Sequence, residues 1–423
     1  MTNRWVAAFS FVAVFAAKYG APGGLHAPAH PPDLWVVGGL VFGLLLVVAA
    51  PARLYVLAGA GLAAVAGIWL RGAGFVDALV AAVVTLAAPA LAAWTVRTLA
   101  PAFRLATPRE LAILVFAGLP ALAAGVAVLG VAWEVAKGGT WSTPGNFGWL
   151  TGTYLGGLLV APFVVSWSQF RAKRSGGLPM PAFAAGAVAC ALYLGTLVVL
   201  FDAVVEHRFG GTVGIALTYM PLLFLAPIAL LWGLRGVTLA TLVGAAIAIV
   251  NTHQGEGPFA AIEAFPGESR HELQTYLGAS ALLGLLIAAL VEAQRQAAAA
   301  ANDWRIRFEA AIGAHRMLAY DWDPVTGGFV LTGDARAGFG TEGARVATLA
   351  DWLGLVAADE RERVRAEFER RATGAGGAAP LTYLMSGRDG ALVATDDARV
   401  IRDHDDSVHR IAGIVRLAPP AAG

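Results

Sequence analysis

Ten apolar runs, each near the length that carries a helix across a bilayer, dominate the first 293 residues. They lie at roughly 4–19, 34–50, 54–70, 75–99, 109–132, 148–170, 180–205, 213–233, 236–252 and 271–293. A helix needs about 20 apolar residues to span the hydrocarbon core, because each residue advances it by only about 1.5 Å. Backbone polar groups have no water to bond to in lipid, so a chain of this kind must satisfy them within helices. The expected fold is therefore mainly α, a polytopic bundle of about ten transmembrane helices. The second and third runs are short for a full crossing.

The charge distribution sets a boundary. Only 14% of residues are charged, against about 25% in soluble domains. Of these, 26 precede residue 303 and 33 fall in the last 121 residues. That break predicts a membrane domain over 1–296, a linker helix over 297–312, a soluble domain over 313–417 and a disordered tail over 418–423. The net charge of +1 gives no reason to expect a nucleic-acid partner. The single cysteine, Cys190, forms no internal disulfide and excludes a Cys-rich zinc site. The first run has the outline of a signal peptide but no evident small-residue cleavage site, and is read as a retained span.

Orientation follows from Lys and Arg in short loops. With the N-terminus cytoplasmic, nine of these residues lie inside (Arg4, Arg53, Arg97, Arg104, Arg109, Arg171, Lys173, Arg174 and Arg235) and five lie outside. An even span count then returns the C-terminus to the cytoplasm.

Within the spans, small residues recur at helix-packing intervals, as at Gly39 and Gly43 or Gly152, Gly156 and Gly157. Pro89, Pro120, Pro162, Pro221 and Pro227 each remove a backbone hydrogen bond inside or at the end of a span. Intramembrane carboxylates are functional candidates; here they are Asp77, Asp202, Glu134 and Glu206, all near span ends. No H-E-x-x-H, G-x-S-x-G or Walker loop is present, so no catalytic or metal site is expected. "GFGTEG" (338–343) has the letters of a dinucleotide loop without its strand-and-long-helix setting. His26 and His30 sit in a proline-rich segment unsuited to a helical metal pair.

Three stretches resemble the bacterial MASE-one-type membrane-associated sensor domain, over about 4–296. They are "DLWVVGGLVFGLLLV" (33–47), "NFGWLTGTYLGGLLVAPFVVSW" (146–167) and "HQGEGPFAAI" (253–262) followed by "LQTYLGASALLGLLIAALVEAQRQ" (273–296). Trp149, Gly156, Gly157, Ala161, Pro162 and Trp167 carry the second match; Gly255, Gly257, Pro258, Phe259, Leu273, Gln274 and Tyr276 carry the third. The family often has an acid before the Gly-Gly pair, where this chain has Thr153. The resemblance implies a bacterial inner-membrane sensor. In "NTHQGEGPF", Gly255 and Gly257 permit positive-φ backbone and Pro258 redirects the chain. A structural re-entrant turn is one reading of this loop; the other is that Asn251, His253 and Glu256 line a stimulus pocket.

The C-terminal segment reads as strand, turn, strand, helices and three more strands. "YDWDPVTG" (320–327), "DWLGLVAADER" (351–361), "RDG" (388–390) and "IAGIVRL" (411–417) resemble a PAS domain, an α+β fold with an antiparallel sheet. Photoreactive flavin PAS domains use a pocket cysteine, and haem types a histidine on the long helix; neither stands at a matching position, so no cofactor is expected, and any pocket ligand is unknown. The helix 285–312 carries Trp304, Phe308 and Ala311 at i, i+4, i+7, a stripe for a homodimer partner or for the following domain. Relatives of this architecture continue into an output domain. Either a histidine kinase or diguanylate cyclase acts in trans, or the sequence is truncated. The chain is expected not to be an enzyme. The competing function is a small-molecule transporter or permease with a regulatory domain.

Overall fold

The computed structural model describes residues 3–19, 34–72, 74–136, 143–168, 178–202, 217–260, 267–315, 317–375, 379–404 and 406–420. His26, His30, Glu206 and the "RAKR" run (171–174) lie outside them. The chain divides into two compact units, Met1–Gln296 and Ala297–Gly423.

The first unit is helical: α1 Asn3–Tyr19, α2 Val36–Val47, α3 Ala50–Leu70, α4 Phe75–Leu99, α5 Pro108–Ala136, α6 Thr143–Trp167, α7 Met180–Leu200, α8 Leu222–His253 and α9 Glu268–Ala314. Seven of these, α3 to α9, are long and apolar enough to cross a membrane, and two shorter apolar helices lie at Val6–Ala17 and Val36–Val47. The runs expected at 213–233 and 236–252 meet within α8. Gly233 takes φ 63 and ψ −154, which no helix tolerates. A Cβ at Gly236 would stand 3.2 Å from Ile228 Cγ2, whereas eight residues of straight helix separate such positions by about 12 Å. The chain therefore folds back at Gly233, and α8 consists of two arms, 222–232 and 234–253. The outer surface is lipid-grade, with Leu54, Trp69, Phe75 and Phe116 all more than 70% exposed.

Small residues set the helix contacts. A Cβ on Gly39 would lie 2.1 Å from the Gly156 carbonyl oxygen, and one on Gly156 would lie 2.3 Å from that of Trp35. The Trp35 N–H donates to Gly152 O at 2.9 Å. Thus α2 and α6 touch backbone to backbone, which in lipid maximises the van der Waals contact that drives association. Gly157 faces Leu119 and Leu122 of α5. In α5 itself, residues Leu114–Gly118 form a π-helical turn; Tyr154 donates to Val115 O there at 3.0 Å, satisfying a carbonyl in the irregular turn.

The second unit holds β1 Met317–Trp322, β2 Phe329–Thr332, α10 Ala335–Gly343, α11 Leu349–Gly354, α12 Arg361–Ala372, β3 Leu381–Gly387, β4 Gly390–Arg402 and β5 Val408–Ala418. The sheet is antiparallel in the order β2-β1-β5-β4-β3, with the helices inserted between β2 and β3. The strand, strand, helices, three-strand order read from the sequence is present, with the antiparallel sheet that the PAS resemblance implies. Local chemistry explains the boundaries. Asp323 Oδ1 accepts from the Val325 and Thr326 N–H groups in the β1–β2 turn, and Gly327 closes it at φ 76. Thr348 and Asp351 form a reciprocal capping box on α11. At α12 the Glu360 side chain makes no cap bond; it accepts from the Leu384 N–H of β3 at 2.7 Å.

Candidate functional site

In the membrane unit, the loop after α8 is built by its glycines. The Gln254 N–H donates to Val250 O, the Gly255 N–H to Thr252 O and the Glu256 N–H to Asn251 O. These bonds close the helix end, as C-terminal caps do, and they need Gly255 at φ 82 and Gly257 at φ 87. At Gly257 a Cβ would also meet Phe201 Cδ1 at 3.0 Å and Cα at 3.1 Å. The turn delivers Phe259 into the bundle end, where it is buried with ring centroids 5.8 Å from Phe201 and 5.6 Å from Tyr276. Tyr219 adds a fourth ring, 6.2 Å from Tyr276.

The resemblance motifs therefore converge. Thr151 of α6 donates to the buried Gln274 of α9 at 2.5 Å, joining the second block to the third. Trp149 stands near this junction and is partly exposed. Thr153 is fully buried and donates to Trp149 O at 2.7 Å. Pro162 is buried inside α6, and Gly156 and Gly157 serve packing. Of the polar candidates, Asn251 and Glu256 are half-buried and His253 is exposed beside them. Asp202 is exposed just after α7, and Asp77 sits half-buried in the first turn of α4. Among the described residues no group of three or more His, Cys, Asp or Glu is placed to hold a metal.

In the second unit the inner face of the sheet is filled by aromatic rings. Tyr320 stacks on Phe329 at 5.1 Å, Phe329 on Trp352 at 5.6 Å, and Phe368 lies 5.6 Å from both Tyr320 and Trp322. Gly413 on β5 admits the Tyr320 ring, which would lie 2.5 Å from a Cβ there. Within this packing sits an ion pair that the sequence reading did not single out. Arg371 of α12 donates through Nη1 to Asp396 Oδ2 of β4 at 2.8 Å, and Tyr320 Oη donates to the same carboxylate at 3.1 Å. Both charged side chains are at most 3% exposed. Arg371 Nε lies 3.4 Å from Glu367, which also pairs with Arg370. Burial pushes the Asp396 carboxyl above its usual range, opposed by the Arg371 guanidinium. The signal was in the strand's alternation: Ala394, Asp396 and Ala398 share the inward face.

The outer face of the same sheet carries a cavity of about 940 Å³, lined by Ala319, Thr395, Arg399, Ile414 and Phe308 among others. Trp304 is 72% exposed, whereas Phe308, at 37%, lines that cavity, so within this unit the α9 stripe is only partly covered by the sheet.

Residues 32–295, more than half of the chain, match the MASE1 family. No curated protein matches the chain. Among solved structures, a sensory box histidine kinase/response regulator from Burkholderia thailandensis E264 is similar over 26% of this chain and 84% of its own, at 17% identity and a TM-score of 0.20.

Proposed function

Because the chain belongs to the MASE1 family, and is thus a multi-pass membrane sensory protein, we propose that it passes a membrane or periplasmic stimulus through α9 to the PAS domain and on to a partner acting in trans. In this reading it lies in a bacterial inner membrane with both termini cytoplasmic, and is not itself an enzyme. The partner is a histidine kinase or a diguanylate cyclase, and the protein works as a homodimer.

The observation that carries the reading is α9. It is an unbroken helix from Glu268 to Ala314. Its first turns hold Gln274 and Tyr276 in the motif junction, and its last turns hold the exposed Trp304 and the partly covered Phe308. A helix with one end in the stimulus-facing loop cluster and an apolar stripe at the other can convert a small shift into a change of pairing. Asn251, His253 and Glu256 are the proposed stimulus surface, with Trp149, Asp77 and Asp202 as further positions. No specific observation favours transport.

Disulfide trapping tests the dimer. A Trp304→Cys chain in a Cys190→Ala background should cross-link to itself in native membranes; a monomer under oxidising conditions contradicts it. Affinity capture with the full chain should enrich a kinase or cyclase, and the Trp304→Ala, Phe308→Ala chain should lose it. Full response in His253→Ala, Glu256→Ala would remove the stimulus role of the loop.

A further inference from the structure

A second cavity, of about 610 Å³, opens within the membrane unit where α2, α4, α6, the α8 fold-back and α9 end or pass, away from the Phe259 loop. Its lining includes Arg97, Arg104, Arg235 and Arg295 against one carboxylate, Glu292. Three of the four cations are braced from behind. Arg97 donates to the α2 carbonyls of Leu45 and Leu46 and to Val48 O. Arg235 Nε donates to Ser166 O at 3.0 Å, and Arg295 Nη2 donates to Leu230 O at 2.5 Å. Each guanidinium carries five N–H donors in a fixed fork, so these bonds orient the group without exhausting it.

Part of this arrangement has a plain explanation. Cations favour the carbonyl ends of helices and the inner side of a membrane. That explains one cation per helix end; it does not explain their convergence. Among the described residues, none of Arg97, Arg104 and Arg295 forms an ion pair with a carboxylate, and Glu292 accepts only from Gln296, at 3.1 Å. Like charges gathered in one concavity repel, and the field they focus attracts an anion.

The loop that carries Arg104 is held in place independently. Leu105 is a non-glycine residue at φ 58 and is 1% exposed. The Glu110 carboxylate accepts from the Arg104 N–H at 3.1 Å and the Ala106 N–H at 2.7 Å. Backbone strain of this kind persists where surrounding structure imposes it, and it gathers at ligand sites.

We propose that this cavity binds a phosphate-bearing anion. Guanidinium forks match phosphate oxygens in geometry and charge, the volume is that of a small-ligand site, and basic pockets between membrane helices suit phospholipid headgroups. The same chemistry accommodates a soluble phosphate. Glu292 and Arg295 lie on α9, so occupancy bears on the helix that leaves the membrane. The binding stands whether or not the chain signals.

The test uses the purified full chain, with Arg104→Gln, Arg295→Gln as the variant and Arg71→Gln as a distant control. Native mass spectrometry from mixed nanodiscs reports retained phosphatidylglycerol against phosphatidylcholine; calorimetry in phosphatidylcholine nanodiscs reports inorganic pyrophosphate. Losing two charge-assisted contacts should weaken binding by at least about tenfold, with Arg71→Gln unchanged. Selective loss of phosphatidylglycerol assigns the site to a lipid headgroup, and loss of pyrophosphate binding assigns it to a soluble anion. If the double variant does not fold, Arg104→Gln alone, at an exposed side chain, is expected to weaken binding measurably. Equal retention of both probes by wild type and by the folded variant overturns the proposal.

Discussion

Gly39 of α2 and Gly156 of α6 meet so closely that a Cβ on Gly39 would lie 2.1 Å from the Gly156 carbonyl oxygen. The neighbouring Trp35 N–H to Gly152 O bond, at 2.9 Å, fixes the same crossing. Two of the motif blocks are thus one contact. Replacing Gly156 by Val forces the helices apart, and overpacking of this kind costs about 1–3 kcal/mol. The expected result is a lowered thermal midpoint in detergent. Gly195→Ala, where nothing lies within 4 Å, should leave it unchanged.

The buried pair in the core of the second unit gives a second expectation. Arg371→Met strands Asp396 without its counter-ion, which costs about 3–5 kcal/mol. Arg371→Met, Asp396→Leu removes both charges and should recover most of the loss. Urea unfolding of the full chain, followed by hydrogen-exchange mass spectrometry of β1 and β4, measures both. A double variant as unstable as the single one would contradict the pairing.

The glycines of the α8 loop should separate by rank. Both adopt positive φ, which costs an L-residue about 1–2 kcal/mol. Only Gly257 also abuts Phe201; no atom lies within 4 Å of a Cβ on Gly255. Gly257→Ala should therefore lower the thermal midpoint more than Gly255→Ala. Equal effects would place the Phe201 contact outside the energetics.

The acid limb of the second unit has a definite sign. The Thr348 hydroxyl, with the Ala347 and Thr348 N–H groups, holds Asp351 below its ordinary value. The Thr326 and Val325 N–H groups do the same for Asp323. A depressed folded-state pKa gives stability that is present above the unfolded value, about 3.9, and lost as pH falls through the folded one. Asp396 runs the other way, because burial raises it. Asp351→Asn should flatten the loss of stability below about pH 4, read as the urea midpoint against pH. An unchanged acid limb would contradict the capping box.

The sequence made the membrane spans legible because apolar run length is a direct physical requirement of the bilayer. It also separated the two runs that meet at Gly233, since "GLRG" interrupts the apolar pattern there. The π turn at Leu114–Gly118 left no such mark, because its composition is that of any apolar helix; only the Tyr154 hydroxyl bonded to Val115 O reveals it. The span expected at 271–293 and the exit helix read over 285–312 form one helix, Glu268–Ala314, since membrane and exit segments share one periodicity. Among site residues, Phe259 was found as a motif letter, but its burial against Phe201 and Tyr276 joins elements far apart in the chain. The arginine cavity was hidden for the same reason: its cations lie on four separate segments, and loop counting records Arg97, Arg104 and Arg235 only as topology signals.

In the proposed function, the membrane unit controls the C-terminal unit through α9, so the rotational phase of that helix should matter. A cyclase catalytic domain active only as a dimer, fused to the C-terminus, gives the readout. Two residues inserted near 300 rotate the downstream chain by about 200°, whereas seven return it to within about 20°. The two-residue insertion should change cyclase output, and the seven-residue insertion should restore it. Equal output from the parent and both insertions would contradict it.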